Sequence, residues 1–152
     1  MRQSKETTFG MIKPEAISRG IVDDIFRRIR EEGLCIEDER KIIMTPKQVE
    51  KIYGHFKKKC PKLYSPMEEY LTENYSIVLK VSGENAIERL LKLRGSSNSS
   101  ESPPGTIRGD YAKDQNYKKL KEEGKIALNV FHAPDSEKDA KRNLYTFFGE
   151  EK

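Results

Sequence analysis

Only two histidines occur in the 152 residues, so chemistry that runs through an imidazole has two places to happen. His55 stands in Tyr53-Gly54-His55-Phe56-Lys57-Lys58-Lys59, on the flank of a predicted helix beside a lysine run, and reads as a solvated surface group. His132 closes Asn129-Val130-Phe131-His132, just before Asp135-Ser136 opens a helix whose N-terminal amides and dipole favour an anion. By itself a strand-end histidine is more often structural than catalytic. Its surroundings change that balance. Pro104-Gly105-Thr106-Ile107-Arg108-Gly109-Asp110 sets Arg108 between glycines that let the backbone turn tightly, where a guanidinium can clamp phosphate through paired hydrogen bonds. Lys13, directly after a predicted strand and held by Pro14, is a second candidate cation. Taken singly, each is by default a surface charge. Neither Gly-x-x-x-x-Gly-Lys-Ser/Thr nor Gly-x-Gly-x-x-Gly occurs, so a phosphate site here has to be built from side chains. Arg108-Gly109-Asp110 also matches a cell-adhesion tripeptide, a coincidence in a chain read as intracellular.

The elements that must position these groups follow from periodicity. Residues 7 to 12 are apolar, β-favouring and stopped by Pro14, predicting a strand. Ile21, Val22, Ile25, Phe26 and Ile29 recur at helical spacing until Gly33. Residues 34 to 44 read as a second strand with a polar middle. Thr45-Pro46-Lys47-Gln48 is a capping box opening a helix with Val49, Ile52, Tyr53 and Phe56 inward, and Ser65-Pro66-Met67-Glu68 predicts the start of another. Tyr75 to Val81 is a third strand and Glu84 to Arg94 a helix ended by Gly95. Ser96 to Pro104 is a loop by composition, and residues 113 to 125 a polar, Lys-rich excursion. Ile126 to Phe131 predicts the fourth strand; Ser136 starts a last helix with Ala140, Leu144 and Phe147 inward. This order fits an α+β fold, a ferredoxin-like α/β sandwich whose four-stranded antiparallel sheet is covered by helices.

Composition narrows the class. Residues 1–152 make a single domain's worth of chain. The 29 Lys and Arg against 25 Asp and Glu give a net charge of +4, spread too thinly to choose between nucleotide and nucleic acid as partner. No apolar run approaches a membrane span and the N-terminus lacks the apolar stretch of a signal peptide, so a cytoplasmic protein is expected. Cys35 and Cys60 share no metal-site spacing and read as ordinary thiols.

Thr-Phe-Gly-Met-Ile-Lys-Pro (8–14), Arg19-Gly20-Ile21-Val22, Tyr53, Gly83-Glu84-Asn85-Ala86, the run 104–110 and Asn129-x-x-His132 followed by Asp135-Ser136 come in one order. Together they resemble the nucleoside diphosphate kinase family over nearly the whole chain. The resemblance implies a ping-pong kinase that moves the γ-phosphate of a nucleoside triphosphate, typically ATP, onto a histidine and then onto a nucleoside diphosphate. His132 matches the phosphorylated histidine and Tyr53 the tyrosine beside it. Lys13, Arg108 and Ser97, the last in place of a threonine, match phosphate contacts, and Asn129 the residue that bonds the sugar hydroxyl. Mg²⁺ would bridge the nucleotide phosphates without protein ligands, Leu63, Tyr64 and Met67 would line one side of the base, and Leu128 the other. A homo-oligomer, with a hexamer favoured, is implied as well.

Four positions depart from the family pattern. Leu91 stands where a phosphate-binding arginine is usual; Arg94 and Arg89 are the nearest cations, neither in the same helical phase. Leu63 replaces a base-stacking phenylalanine, which removes on the order of 1 kcal/mol of stacking. Pro134 replaces a serine, and Asn143 a glutamate that orients the imidazole, though Asn143 is placed to hydrogen-bond His132. These changes predict a slower enzyme, with a nucleotide-binding regulatory relative as the alternative. A nucleic-acid-binding module is a third reading, motivated by the Lys57–Lys59 and Lys118–Lys121 clusters, but Phe9 and Phe131 do not fall in the pattern of base-stacking sheet aromatics. The excursion from Lys113 to Lys125 is expected to be either a tolerated surface loop or a basic flap near the nucleotide.

Overall fold

Residues 5–149 are described by the structure, a computed structural model. Every residue from Thr8 to Ile12 is buried, so strand β1 (Lys5–Ile12) is covered on both faces. It is central in a four-stranded antiparallel sheet of order β2-β3-β1-β4, with β2 at Cys35–Ile42, β3 at Ser76–Glu84 and β4 at Phe131–His132. This is the ferredoxin-like arrangement. Alternation along β1 divides the core. Ile12 faces helices α2 (Val22–Glu31) and α5 (Ala86–Arg94), packing with Ile25, Ile29 and Leu90. Phe9 and Met11 face α3 (Pro46–Lys59), α4 (Pro61–Glu73) and α8 (Glu137–Phe148), packing with Ile52, Leu71 and Phe147.

Local chemistry explains most boundaries. The Thr45 hydroxyl accepts from the Gln48 amide at 3.2 Å while the Gln48 side chain accepts from the Thr45 amide at 2.9 Å, so the expected capping box forms. Ser136 caps α8 in the same way, accepting from the Asp139 amide at 3.1 Å. Ser65-Pro66 does not begin a helix. Instead α4 starts at Pro61 and carries Pro66 inside, because burying Leu63, Tyr64, Met67 and Leu71 together outweighs one missing backbone hydrogen bond.

The predicted fourth strand shortens to Phe131–His132. Val130 takes a φ of 65°, and a left-handed residue breaks the extended run ahead of it. A short helix α1 (Pro14–Ser18) follows β1. The expected loop after α5 holds one 3-10 turn, Ser99–Glu101, and α6 spans Ile107–Tyr111. The Lys-rich excursion contains a helix, α7 (Tyr117–Glu122), with no buried residue.

Candidate active site

His132 ends β4, paired with Met11 of β1, with the Tyr53 ring centroid 5.4 Å from its own and that of Phe9 at 6.4 Å. Tyr53 points there because α3 kinks at that residue, whose φ of −115° and ψ of 18° leave the helical range. Burial raises the Tyr53 hydroxyl well above its ordinary pKa, so it remains a protonated donor.

Two of the candidate cations are buried. Lys13 is 5% exposed and its Nζ donates to Asn129 Oδ1 at 2.8 Å. Arg108 is 4% exposed; Nε and Nη2 donate to the Phe131 carbonyl at 3.1 and 2.8 Å, and Nη1 to that of Ser96 at 3.0 Å. Its seat depends on the turn before α6, where the Thr106 hydroxyl donates to the Pro103 carbonyl at 2.7 Å and accepts from the Gly109 amide at 2.9 Å. Ser97 is exposed in the same loop.

Gathering like charges out of water moves their titration. Burial, helped by Arg108 and opposed by Glu15, lowers Lys13 to about 8. Burial and the Arg94 charge push Arg108 down, yet a guanidinium stays protonated at neutral pH. His132 is held well below its ordinary value, first by burial and then by Arg108, Lys13, Arg94 and His55. The imidazole is therefore neutral at pH 7, with a lone pair available, amid cations that favour an anionic reactant.

Glu15 supports this platform. One carboxylate oxygen accepts from the Val130 amide at 2.9 Å, the other from the Tyr70 hydroxyl at 2.8 Å, so α4, β4 and the left-handed Val130 are tied at one point. Backbone strain of this kind persists where the surroundings over-determine it. Glu15→Ala is expected to cost about 2–4 kcal/mol, because it strands the buried Val130 amide as well as the Tyr70 hydroxyl. Tyr70→Phe, which strands one carboxylate oxygen only, is expected to cost about 1 kcal/mol. Denaturant unfolding of both variants checks the order; equal losses would show that Val130 is held by something else.

The remaining expected residues separate into two groups. Leu63, Tyr64 and Met67 are 3%, 4% and 8% exposed, so they back the site from inside α4 and present little surface. Leu128 is 37% exposed, its amide donating to Gln115 Oε1 at 2.9 Å. Asn143 is buried in α8, and among the described residues no hydrogen bond joins it to His132, contrary to the expected contact. Pro134 is buried. Leu91 lines a cleft with Glu6, Glu88, Asp135 and Glu137.

Glu15, Tyr70 and the contacts of the excursion escaped sequence reasoning. Tyr117 of α7 packs against Phe56 of α3 with centroids 6.4 Å apart, and its amide donates to Asn98 Oδ1 at 3.0 Å. The excursion thus bridges α3 and the loop after α5. A lone aromatic in a Lys-rich stretch was the only available signal.

The profile of the family described as nucleoside diphosphate kinase matches residues 6–152. A nucleoside diphosphate kinase of Archaeoglobus fulgidus is 32% identical over 96% of this chain and 88% of its own length. One from Methanocaldococcus jannaschii is 34% identical over 97% of this chain and 96% of its own. Among solved structures, the nucleoside-diphosphate kinase of Borrelia burgdorferi, a transition-state mimic with vanadate and ADP, superposes with a TM-score of 0.87 at 26% identity, covering 95% of this chain and 87% of that one. An NDP kinase from Pyrobaculum aerophilum gives a TM-score of 0.83 at 26% identity, covering 95% and 96%.

Proposed function

The chain belongs to the nucleoside diphosphate kinase family, and on that footing we propose that His132 carries the phosphoryl group between two nucleotides. A ring nitrogen of neutral His132 attacks the γ-phosphorus of a nucleoside triphosphate, the bond from phosphorus to the β–γ bridging oxygen breaks, and the nucleoside diphosphate leaves with that electron pair. A terminal phosphate oxygen of a second nucleoside diphosphate then takes the group from nitrogen, restoring the free imidazole. The observation that carries this reading is the His132 ring at the end of β4, beside Tyr53 and next to the Phe131 carbonyl that Arg108 grips, with burial and the charges of Arg108, Lys13 and Arg94 favouring its neutral form. Phosphoryl transfer needs positioning and charge neutralisation more than covalent assistance, which is what such cations supply.

Lys13 and Arg108 hold the phosphates, with the Ser97 hydroxyl beside them. Asn129, already bonded to Lys13, meets the sugar hydroxyl. The protonated Tyr53 hydroxyl supports the imidazole side. The base lies against Leu128 and the Phe56–Tyr117 pair, with Leu63, Tyr64 and Met67 behind. Among the described residues no cluster of three or more His, Cys, Asp or Glu offers to hold a metal, and the groups at His132 are cationic, so a divalent ion, Mg²⁺, fits on the nucleotide's own phosphates. When bound it supplies further neutralisation of their charge. The reading includes a cytoplasmic protein and a homo-oligomer, with a hexamer favoured; among the described residues no helix is long and apolar enough to cross a membrane.

Incubation with γ-labelled ATP and Mg²⁺, without acceptor, tests the proposal. Retained label that is acid-labile, base-stable and chased off by GDP is the expected result. An unlabelled protein that still binds ADP would leave the regulatory relative as the better reading.

Lys13 makes the affinity pH-dependent. Free Lys13 titrates near 8, and a bound phosphate stabilises its charged form, so binding takes up a proton once the free ammonium begins to lose its own. ADP affinity is expected to fall as pH rises through 8, approaching about tenfold per pH unit above it. Titration calorimetry in buffers of different ionisation heat reads both the affinity and the proton uptake. Lys13→Arg should flatten the profile, because a guanidinium does not titrate in this range.

A further inference from the structure

Arg94 lies in the last turn of α5, directly before Gly95. Its Nε donates to the Gly95 carbonyl at 3.1 Å, while Arg108 Nη1 takes the next carbonyl, that of Ser96, at 3.0 Å. The two guanidinium groups thus rest on successive carbonyls of one loop, and Arg108 reaches from there to the Phe131 carbonyl beside His132. The charge of Arg94 acts on Tyr53, Arg108 and His132 alike, which places the guanidinium near the site.

Its bonding differs from that of its neighbours. Arg108 spends Nε, Nη1 and Nη2 on carbonyls, and Lys13 is bonded to Asn129. Among the described residues, Nη1 and Nη2 of Arg94 bond nothing, and the opposing charge that acts on it is Asp135, at a distance that forms no ion pair. A part-buried guanidinium with both terminal nitrogens unspent, beside the Arg108 cation, is complemented by an anion. Arg89 does not share this setting: its Nη1 donates to the Glu84 carbonyl at 3.0 Å, at the other end of α5.

We propose that Arg94 is a phosphate-binding residue of this protein, gripping the terminal phosphates of the nucleotide through Nη1 and Nη2. The inference rests on the phosphotransferase reading above, since it supplies the ligand. It also accounts for Leu91: that side chain lines a cleft with Glu6, Glu88 and Glu137, where a cation would pair with carboxylates and not with substrate.

Calorimetric titration of the full chain with ADP and with AMP tests the assignment, using wild type, Arg94→Ala, Arg94→Gln, Arg94→Lys and Arg89→Ala. Arg94→Ala and Arg94→Gln are expected to lose about 10- to 100-fold in ADP affinity but no more than about 3-fold for AMP, which lacks the terminal phosphate. Arg94→Lys should recover part of the loss, keeping the charge without the fork. Arg89→Ala should bind as wild type. Wild-type ADP affinity in the Ala and Gln variants, or equal losses for ADP and AMP, would overturn the assignment. Should both variants fail to fold, Asp135→Asn decides: removing the competing carboxylate should raise ADP affinity about 2- to 3-fold, and an unchanged affinity counts against Arg94. Acid-labile labelling of wild type alongside unaffected Arg94 variants sinks this inference and leaves the phosphohistidine reading standing; a wild type that binds no ADP sinks both.

Discussion

His132→Ala is expected to cut γ-phosphate exchange between ATP and a nucleoside diphosphate by at least about 10⁴-fold, the scale on which removal of a covalent nucleophile acts. ADP affinity should stay within about 3-fold of wild type, because Lys13, Arg94 and Arg108 hang on separate elements and keep their seats without the imidazole. That split, chemistry lost with binding kept, distinguishes a nucleophile from a structural histidine, whose loss would weaken both. Coupled-enzyme exchange assays and calorimetry read the two quantities. Exchange above about one per cent of the wild-type rate would place the phosphoryl carrier on another group.

The same substitution carries a stability signature. His132 is held well below 6.5 in the folded chain, whereas the unfolded chain takes up a proton near 6.5. Below that pH the unfolded state binds the extra proton, so stability falls as pH falls. In His132→Ala this contribution is gone. The variant should therefore lose less stability than wild type between pH 7 and pH 5, measured by denaturant unfolding at each pH.

Gly109→Ala is expected to be the most damaging of the small substitutions. A Cβ at Gly109 would stand 1.9 Å from the Pro103 carbonyl oxygen, 2.8 Å from its carbon and 2.6 Å from Thr106 Oγ1. The first two are backbone atoms and cannot swing aside. The turn must open, and with it go the bond from Thr106 to the Pro103 carbonyl and the cap that Thr106 places on the Gly109 amide. Arg108, the preceding residue, then loses its aim at the Phe131 carbonyl. A loss of 3 kcal/mol or more, on the order of the larger overpacking effects, and at least about a 100-fold drop in exchange are expected. Gly105→Ala is the contrast. Its φ of 91° strains a side chain, but nothing lies within 4 Å of the added carbon, so about 1–2 kcal/mol is expected with the turn intact. If the two substitutions unfold alike, the close approach at Gly109 is not what holds Arg108.

The candidate site is written in the sequence only in part. The run from Pro104 to Asp110 and the Asn129-x-x-His132 spacing were visible because each is a local arrangement that few other uses would require. Arg94 was visible as a cation one turn from Leu91, but helical phase alone put it off the site; the direction of its side chain is decided past Gly95, where the helix ends and the loop carrying Ser96 turns inward. Asn143 shows the opposite error, since an inward phase on α8 brought it into the core and not onto His132. Phase predicts burial and does not predict which buried neighbour is met.

The sequence by itself determined the order of the four strands and the main helices, the capping box at Thr45–Gln48 and the family, because these depend on contacts three or four residues apart or on motifs read in order. Tertiary structure alone decided that Lys13 is buried against Asn129, 116 positions away, and titrates near 8. It likewise decided that Glu15 bonds Val130, 115 positions away, whose left-handed conformation makes the fourth strand start late. The reason is physical. Hydrogen bonds between chain neighbours follow from spacing, whereas desolvation and the field of neighbouring charges exist only after distant segments have closed around a group, and it is those terms that leave His132 neutral among three cations.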